Sequence, residues 1–248
     1  MPHDSFAQKL FMKAGKVFTP LFLILILGYT NHTFSQTLKW NNKEFELKNV
    51  TASVVEFHGE KVLKVKRDLK ALPFDSGHLE ATVDNAQYVK LKNVDFENGT
   101  IEVKVYAQIQ NPSPFLNAQG FIGLAYRIAP DDTAFESIYL RPKAGRSDNQ
   151  MFRNHTVQYF SYPNFKFDTL RKLAPNMYET SAPVSINEWI TMRIEVNGQK
   201  AELFINNEKY STMVVNPMKG STRRGAIGLW VDIGTIGYFK DLKIMPRN

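Results

Sequence analysis

The sequence predicts an all-β fold in which two antiparallel sheets pack as a sandwich or close into a barrel. Short β-prone runs recur over about 200 residues, and several of them alternate between apolar and polar side chains. Turn dipeptides such as Asn98-Gly99 separate these runs. No segment after the first 35 residues has the periodicity of an amphipathic helix, and there is no repeat, low-complexity tract or linker. We therefore predict one domain over residues 36–248.

Residues 1–35 have the pattern of a secretory signal peptide. Three lysines form a positive region before the apolar run 17–29, and small residues occupy the positions three and one before a cleavage site ahead of Gln36. The apolar run is shorter than the roughly 20 residues that a membrane-spanning helix needs. We expect a secreted or periplasmic protein without stable membrane insertion once the leader is removed, with an uncleaved anchor as the alternative.

The charge and the cysteine count limit the function classes. The formal net charge is +7, and removal of a leader with three lysines and one aspartate leaves 28 basic and 23 acidic residues, or +5. Such a mild charge, without a basic run that contains aromatic residues, is compatible with acidic glycans and argues against nucleic acid as a partner. The chain has no cysteine, which excludes disulfides, thiol chemistry and cysteine-ligated metals. Stability must come from the core alone.

The first half of the domain contains short predicted strands. We expect them at 44–48, 53–57, 61–66, 79–83, 87–92 and 100–109. In the last of these, Ile101, Val103 and Val105 alternate with Glu102 and Lys104. A period of two with one apolar side is typical of a half-buried strand in an antiparallel sheet.

The middle of the domain contains two further strands and a long connection. Residues 121–128 are apolar on both faces, which indicates a central strand, and Asp131-Asp132 turns the chain back into 135–141. There Ile138 and Leu140 share the core face, which places Tyr139 and Arg141 together on the opposite face. The loop-rich stretch from about 161 to 188 is long enough to indicate a functional or disordered segment.

The C-terminal part predicts a hairpin and two closing strands. Residues 189–196 alternate, Asn197-Gly198 supplies a type I′ turn, and 201–205 forms the return strand. Residues 225–231 and 238–245 then complete the sheets.

Four of these runs, in this order, resemble a known superfamily. They are GFIGLAYRI, FESIYLRP, WITMRIEVNGQKAELFIN and GAIGLWVDIGTIGYFKDLKI. The order resembles the concanavalin A-like lectin/glucanase superfamily, and is most similar to its laminin-G-like branch and to bacterial 3-keto-disaccharide hydrolase-type domains. The resemblance covers nearly the whole mature chain and implies a two-sheet antiparallel jelly-roll sandwich. Lectins, hydrolases, lyases and adhesion modules share this fold, so the resemblance constrains fold more than function.

The segment from Tyr139 to Arg171 has the densest group of sugar-compatible side chains. The resemblance implies that ligands lie across the concave face of the curved sheet and under its loops. The matching ligand-binding positions are Tyr139, Arg141, Arg146, Asp148, Gln150, Arg153, Asn154, Gln158 and Tyr162, together with His155 and Tyr159. Tyrosine rings pack on sugar C–H faces, amides pair with hydroxyls, and arginine binds carboxylates or vicinal hydroxyls. The alternative is a polar sheet face with ordinary ion pairs.

Strand alternation separates two subsets of these residues. His155 and Tyr159 would share one face of a regular strand without a bulge, whereas Asn154, Gln158 and Tyr162 would lie on the other. We favour His155 and Tyr159 for the ligand side, because Phe160 would then lie on the core side.

A catalytic interpretation is the first alternative. His155 would exchange protons, Tyr159 or Tyr139 would donate one, and Glu136 or Asp148 would act as a single carboxylate. The sequence lacks the Glu-x-Asp-x-x-Glu strand on which retaining glucanases of this fold carry their two carboxylates. We therefore expect a carbohydrate-binding protein first, and a glycoside hydrolase or polysaccharide lyase second.

Asp232 is the candidate calcium ligand. It follows Trp230 in a glycine-rich loop, whereas the turn Asp131-Asp132 needs no metal. Trp230 shares a strand face with small residues that could leave space for a ligand, although ordinary packing is the favoured interpretation. No cofactor other than this calcium ion is expected.

The sequence thus predicts a secreted protein that binds a neutral or acidic oligosaccharide or polysaccharide on the concave sheet face. A laminin-G-like adhesion module with protein partners is the second alternative.

Overall fold

The computed structural model describes residues 36–247. Its strands are β1 Thr37–Trp40, β2 Lys43–Lys48, β3 Val50–Phe57, β4 Glu60–Arg67, β5 Tyr88–Leu91, β6 Gly99–Ile109, β7 Ile122–Ile128, β8 Phe135–Leu140, β9 Val157–Tyr162, β10 Glu179–Thr180, β11 Ile190–Asn197, β12 Lys200–Ile205, β13 Met213–Val215, β14 Ala226–Val231 and β15 Thr235–Pro246. The short helices are α1 Leu79–Thr82, α2 Gln150–Asn154 and α3 Phe167–Leu173, and a 3₁₀ turn spans Pro142–Ala144.

The strands form two antiparallel sheets around one apolar core, which confirms the jelly-roll sandwich. The eight-stranded sheet has the order β1-β2-β5-β14-β7-β8-β9-β10, and the seven-stranded sheet has the order β13-β12-β11-β6-β15-β4-β3. Within residues 36–247, no helix has the length and apolar character needed to cross a bilayer. The predicted signal peptide lies outside the described residues.

The hairpin between β11 and β12 is present, but its turn differs by one residue from the prediction. Asn197 pairs with Lys200, so Gly198 and Gln199 form the turn. Gly198 has a φ of 60°, and Gln199 does not have a positive φ. Glycine at the first turn position fits a type II′ turn, so the predicted type I′ turn was wrong.

The predicted strand at 79–83 was also wrong. Residues 79–82 form α1, and this short run contains leucine, glutamate and alanine, which are strong helix formers. The other two helices lie in segments that we had predicted to be loops. None of the three helices is longer than seven residues, so they are too short to produce a recognisable helical period in the sequence.

The register of β8 against β9 decides which side chains share a sheet face. Tyr139 pairs with Gln158, and Ile138 pairs with Tyr159. Ile138 lies on the face that packs against the seven-stranded sheet, as predicted, and Tyr139 therefore lies on the opposite face, which we call the outer face. Our preference for Tyr159 on the ligand side was wrong, because it is Phe160 that shares the outer face with Tyr139 (ring centroids 5.8 Å apart).

Two segments, 75–87 and 163–173, cover the middle of the outer face. Lys166 Nζ links them by donating hydrogen bonds to the Val83 carbonyl (2.9 Å) and to Asn85 Oδ1 (2.7 Å). Trp230 Nε1 donates to the Asn85 carbonyl (3.0 Å), so the indole is wholly buried beneath this cover, as the packing interpretation predicted. The outer face is therefore a covered surface with a cavity at one end instead of an open groove.

Candidate functional site: the Arg141 cavity

A cavity of about 360 Å³ remains where β8 ends, and we call it the Arg141 cavity. Its lining residues are Leu79, Val83, Asp84, Phe115, Asn117, Gln119, Phe121, Tyr139, Arg141, Phe152, Phe167, Arg171 and Asp232. A wider groove of about 1430 Å³ lies at the end of the sandwich, between residues 39–44 and 242–246. None of the charged residues lining that groove is buried. We therefore take the Arg141 cavity, which combines buried charge with aromatic walls, as the candidate site.

Three side chains hold the Arg141 guanidinium in place. Arg141 Nη2 donates to Tyr139 Oη (2.9 Å), and that hydroxyl donates its own proton to Gln158 Oε1 (2.9 Å). The rings of Phe121 and Phe167 lie 5.6 and 5.9 Å from the guanidinium carbon. Arg141 Nε is buried and has no hydrogen-bond partner among the residues described. The guanidinium is thus oriented and retains unused donor capacity, whereas Tyr139 has given its only proton to Gln158.

Two buried carboxylates lie beside this cation. Asp232 Oδ1 accepts from Arg67 Nη1 (2.8 Å) in a buried ion pair, and Asp232 Oδ2 accepts from the backbone N–H of Asp84 (3.0 Å). Asp84 Oδ2 accepts from the backbone N–H of Phe167 (3.0 Å). Burial, followed by the neighbouring charge of Asp232, raises the pKa of Asp84 to about 6. Asp84 can therefore exchange a proton near neutral pH.

The surroundings of Asp232 fit an ion pair better than a calcium site. Besides Arg67 and the Asp84 N–H, its carboxylate accepts from the backbone N–H of Ile233. A calcium ligand needs its oxygens available to the ion, and here protein donors occupy both of them. Among residues 36–247, no three His, Cys, Asp or Glu side chains are grouped so that they could hold a metal ion.

Of the predicted site residues, the structure brings Tyr139, Arg141 and Asp232 to the cavity, and Gln158 supports Tyr139 from behind. The loop residues Arg146, Asp148, Gln150, Arg153 and Asn154 do not line it. Arg146 pairs with Glu188 (3.0 Å), and Gln150 donates to Asn154 within α2. Tyr162 is on the outer face but stacks on Phe135, away from the cavity.

His155 lies behind the cavity wall. Its Nδ1 is 2.8 Å from Glu179 Oε2, and the same oxygen accepts from Arg171, which does line the cavity. Burial, followed by the charge of Arg171, lowers the pKa of His155, so its neutral form dominates at pH 7. The structure therefore places His155 next to a cavity residue but not in the cavity.

Tyr159 and Glu136, the other catalytic candidates, point toward the seven-stranded sheet. Tyr159 Oη donates to Glu136 Oε2 (2.6 Å) and accepts from the backbone N–H of Lys219. Glu136 is wholly buried and also accepts from the N–H of Gly220. Burial raises the pKa of both groups. The pair anchors the loop after β13 and does not reach the cavity, so neither residue is placed to act there.

Sequence reasoning missed Asp84 and most of the aromatic lining. Asp84 reaches the site only because the covering segment folds over the outer face, and nothing in its local sequence indicates this. Phe115 gave a weak signal, since it is an aromatic residue in a proline-rich loop that precedes a central strand. Phe167 and Arg171 lie in the long connection that we had predicted to be functional or disordered.

Comparisons with known proteins place the chain in a family. No curated protein matches it. Among solved structures, it is similar to the carbohydrate binding module CBM66 from Bacillus subtilis (12% identity, TM-score 0.46, covering 79% of this chain and 94% of that one). It is also similar to domain 4 of the arabinanase AbnA from Geobacillus stearothermophilus, solved with arabinotriose (13%, 0.40, 78% and 74%). A third similar structure is the beta-glucanase of Bacillus licheniformis (9%, 0.39, 83% and 79%). The family model of the 3-keto-alpha-glucoside-1,2-lyase-like domain matches residues 13–245, and the chain therefore belongs to this family.

Proposed function

We propose that this domain binds a short carbohydrate in the Arg141 cavity. Its family gives it a carbohydrate-related function, and one observation supports this site in particular. The Arg141 guanidinium is oriented by Tyr139 and flanked by two aromatic rings, yet its Nε has no partner among the described residues. Nη2 makes the only hydrogen bond of this guanidinium among the described residues, so its terminal nitrogens keep donor capacity that favours a ligand with an acceptor.

The chemistry of the lining suits a sugar. Arg141 offers donors, Asp84 offers an acceptor, and the rings of Phe121 and Phe167 offer surfaces for the C–H faces of a pyranose. The covering segments 75–87 and 163–173 enclose the cavity against the outer face of the sheet. Its volume of about 360 Å³ lies in the range of small-ligand sites. We therefore propose that the cavity takes the end of a short glycan, instead of a polysaccharide lying across an open sheet face.

Replacement of Arg141 tests this proposal, and Arg146 provides a matched control. Calorimetric titration with neutral and acidic mono-, di- and trisaccharides and their 3-keto derivatives should first identify a ligand. Arg141→Ala should then weaken its binding by roughly 10- to 100-fold, the effect expected when a charged hydrogen-bond donor is lost. Arg146→Ala removes an exposed arginine outside the cavity and should bind normally. Equal affinities for both variants, with both folded, would contradict the proposal.

Cleavage of a 3-keto glycoside by 1,2-elimination is a second candidate function. The raised pKa of Asp84 beside Arg141 favours it. A ketone at C3 of a sugar acidifies the hydrogen on C2. The Asp84 carboxylate would take this proton while Arg141 stabilises the negative charge on the C3 oxygen. The electron pair then forms the C1–C2 double bond and the C1–O bond breaks. The leaving oxygen takes a proton from water, and Asp84 returns the C2 proton to water.

The products distinguish elimination from hydrolysis and from binding alone. Elimination gives an unsaturated keto sugar that is one water lighter than the hydrolysis product, and mass spectrometry separates the two. If Asp84 is the base, Asp84→Asn should lower the rate by about 100-fold or more. Asp148→Asn, an exposed carboxylate that does not line the cavity, should leave the rate unchanged. An intact glycoside would contradict the elimination and leave binding as the function. We also propose that residues 1–35 direct export of the protein.

A further inference from the structure

An aromatic wall leads from the floor of the Arg141 cavity to its mouth. The ring of Tyr139 lies 6.3 Å from that of Phe121, and Phe121 lies 6.5 Å from Phe115 with the planes only 20° apart. Phe115 lies 5.2 Å from Phe74. Tyr139 is buried, whereas Phe115 and Phe74 are partly exposed. The ladder therefore runs from a buried ring to partly exposed ones, and the Arg67 guanidinium lies 5.9 Å from the Phe74 ring.

Two further apolar side chains line the cavity. Phe152 of α2 lines the cavity although 49% of it is exposed, and the N-cap Asn149 fixes this short helix by accepting from the backbone N–H groups of Met151 and Phe152. Leu79 of α1 adds a further apolar contact surface. Phe152 and Leu79 thus add apolar surface to a cavity that Phe115 and Phe121 already line.

Three polar side chains, Asn117, Gln119 and Arg171, line this part of the cavity, and two of them already have partners. Arg171 pairs with Glu179, and Gln119 Nε2 donates to the backbone carbonyl of Asn117 (3.0 Å). With Arg171 and Gln119 Nε2 occupied, the Asn117 amide is left to pair with most hydroxyls of a second sugar ring, whereas a flat apolar ring needs no such partner. The polar floor and the apolar mouth thus suit different parts of one ligand.

We propose that the mouth of the cavity, between Phe115 and Phe152, is an aglycone subsite for a flat aromatic group. This inference rests on the proposed function, in which the sugar occupies the floor beside Arg141. The preferred ligand is then an aryl glycoside, with its ring stacked on the aromatic wall and its sugar on Arg141 and Asp84.

The test compares 3-keto derivatives of methyl α-glucoside, phenyl α-glucoside and maltose by calorimetry. All proteins carry Asp84→Asn, so that the ligands stay intact. The phenyl glycoside should bind about tenfold more tightly than the methyl glycoside, the effect expected for stacking one ring, and more tightly than the disaccharide. In Phe115→Ala and in Phe152→Ala the ratio of the affinities for the phenyl and methyl glycosides should fall to nearly one. Leu116→Ala, which removes a 91% exposed neighbour that does not line the cavity, should keep the full preference.

Adding Arg141→Ala separates the two possible failures. If the aglycone subsite is wrong but the site is right, Arg141→Ala weakens all three ligands and the phenyl glycoside shows no advantage over the methyl glycoside. If the site itself is wrong, Arg141→Ala changes none of the affinities. A disaccharide that binds more tightly than the phenyl glycoside, or a phenyl preference that survives in both phenylalanine variants, would overturn the inference. Phe152→Ala keeps the test valid if Phe115→Ala does not fold, since Phe152 is half exposed.

Discussion

The Arg141 cavity contains one fully paired buried charge, Asp232, and two charged groups with few partners, Asp84 and Arg141. Arg67 neutralises Asp232 in a buried ion pair, and this pair in turn holds the backbone of Asp84. Asp84 is buried, has the like charge of Asp232 nearby and accepts from only one backbone donor, so its pKa is raised and its carboxyl holds a proton more readily than an exposed aspartate does. Arg141 has the complementary condition, since its Nε has no partner in the described part of the chain. The two groups that are incompletely paired are the two proposed to contact the ligand.

The raised pKa of Asp84 predicts a specific pH dependence of stability. Its pKa is about 6 in the folded state, against the ordinary aspartate value of 3.8. Between these values the folded state binds more protons than the unfolded state. The contribution of Asp84 to the free energy of unfolding therefore falls as pH rises from 4 to 6, by on the order of 3 kcal/mol. Asp84→Asn removes the charge. Its free energy of unfolding relative to the wild type should therefore increase by about that amount between pH 4 and pH 7 in urea titrations. A difference that stays constant with pH would contradict the environment described for Asp84, and Asp148→Asn serves as the control.

Loss of the hydroxyl should affect stability at Tyr159 and ligand affinity at Tyr139. Tyr159→Phe removes the partner of Glu136 and of the Lys219 N–H, and should cost about 1–3 kcal/mol of stability without changing ligand affinity. Tyr139→Phe removes the acceptor that orients Arg141, and should lower affinity. Thermal unfolding and calorimetric titration of both variants provide the comparison. Weaker ligand binding by Tyr159→Phe at full stability would mean that Tyr159 does contact the ligand.

Among the elements of the fold, the two covering segments turn a sheet face into a cavity. Local alternation predicts β8 and correctly places Tyr139 and Arg141 opposite Ile138, because side-chain direction in a strand depends only on parity. It does not predict that α1 and α3 fold over this face. Their contacts depend on single long-range bonds, such as those of Lys166 to Val83 and Asn85, and helices of four and seven residues give no periodic signal.

Lys166 is therefore predicted to stabilise the cover. Lys166→Met leaves the Val83 and Glu80 carbonyls and Asn85 Oδ1 without their donor. Amide hydrogen exchange in residues 79–87 should become faster by about tenfold, and ligand affinity should fall, because the loss of one partly buried charged donor costs roughly 1.5 kcal/mol. Lys172→Met changes an exposed lysine on α3, the helix that follows Lys166, and should alter neither quantity. Unchanged exchange in Lys166→Met would show that other contacts hold the segment.

For the molecule as a whole, the sequence predicted the architecture better than the site. Alternation in β6 and β11 and the resemblance of four strand runs were sufficient for a two-sheet sandwich, since both signals are local. The site combines β8 with three helices and two loops that are far apart in sequence. We predicted that Tyr159 faces the ligand because the apolar Phe160 would then face the core, and this prediction failed for a related reason. Both faces of the eight-stranded sheet are covered at β9, so an apolar residue there does not identify the side that faces the other sheet.

A crystal structure with a bound 3-keto glycoside would test the Arg141 cavity as the binding site more directly than any variant. We predict the sugar ring in this cavity, against Phe121 and Phe167, with sugar oxygens within hydrogen-bond distance of Arg141 and Asp84. A sugar bound instead in the end groove between residues 39–44 and 242–246, with the Arg141 cavity empty, would contradict the proposed function.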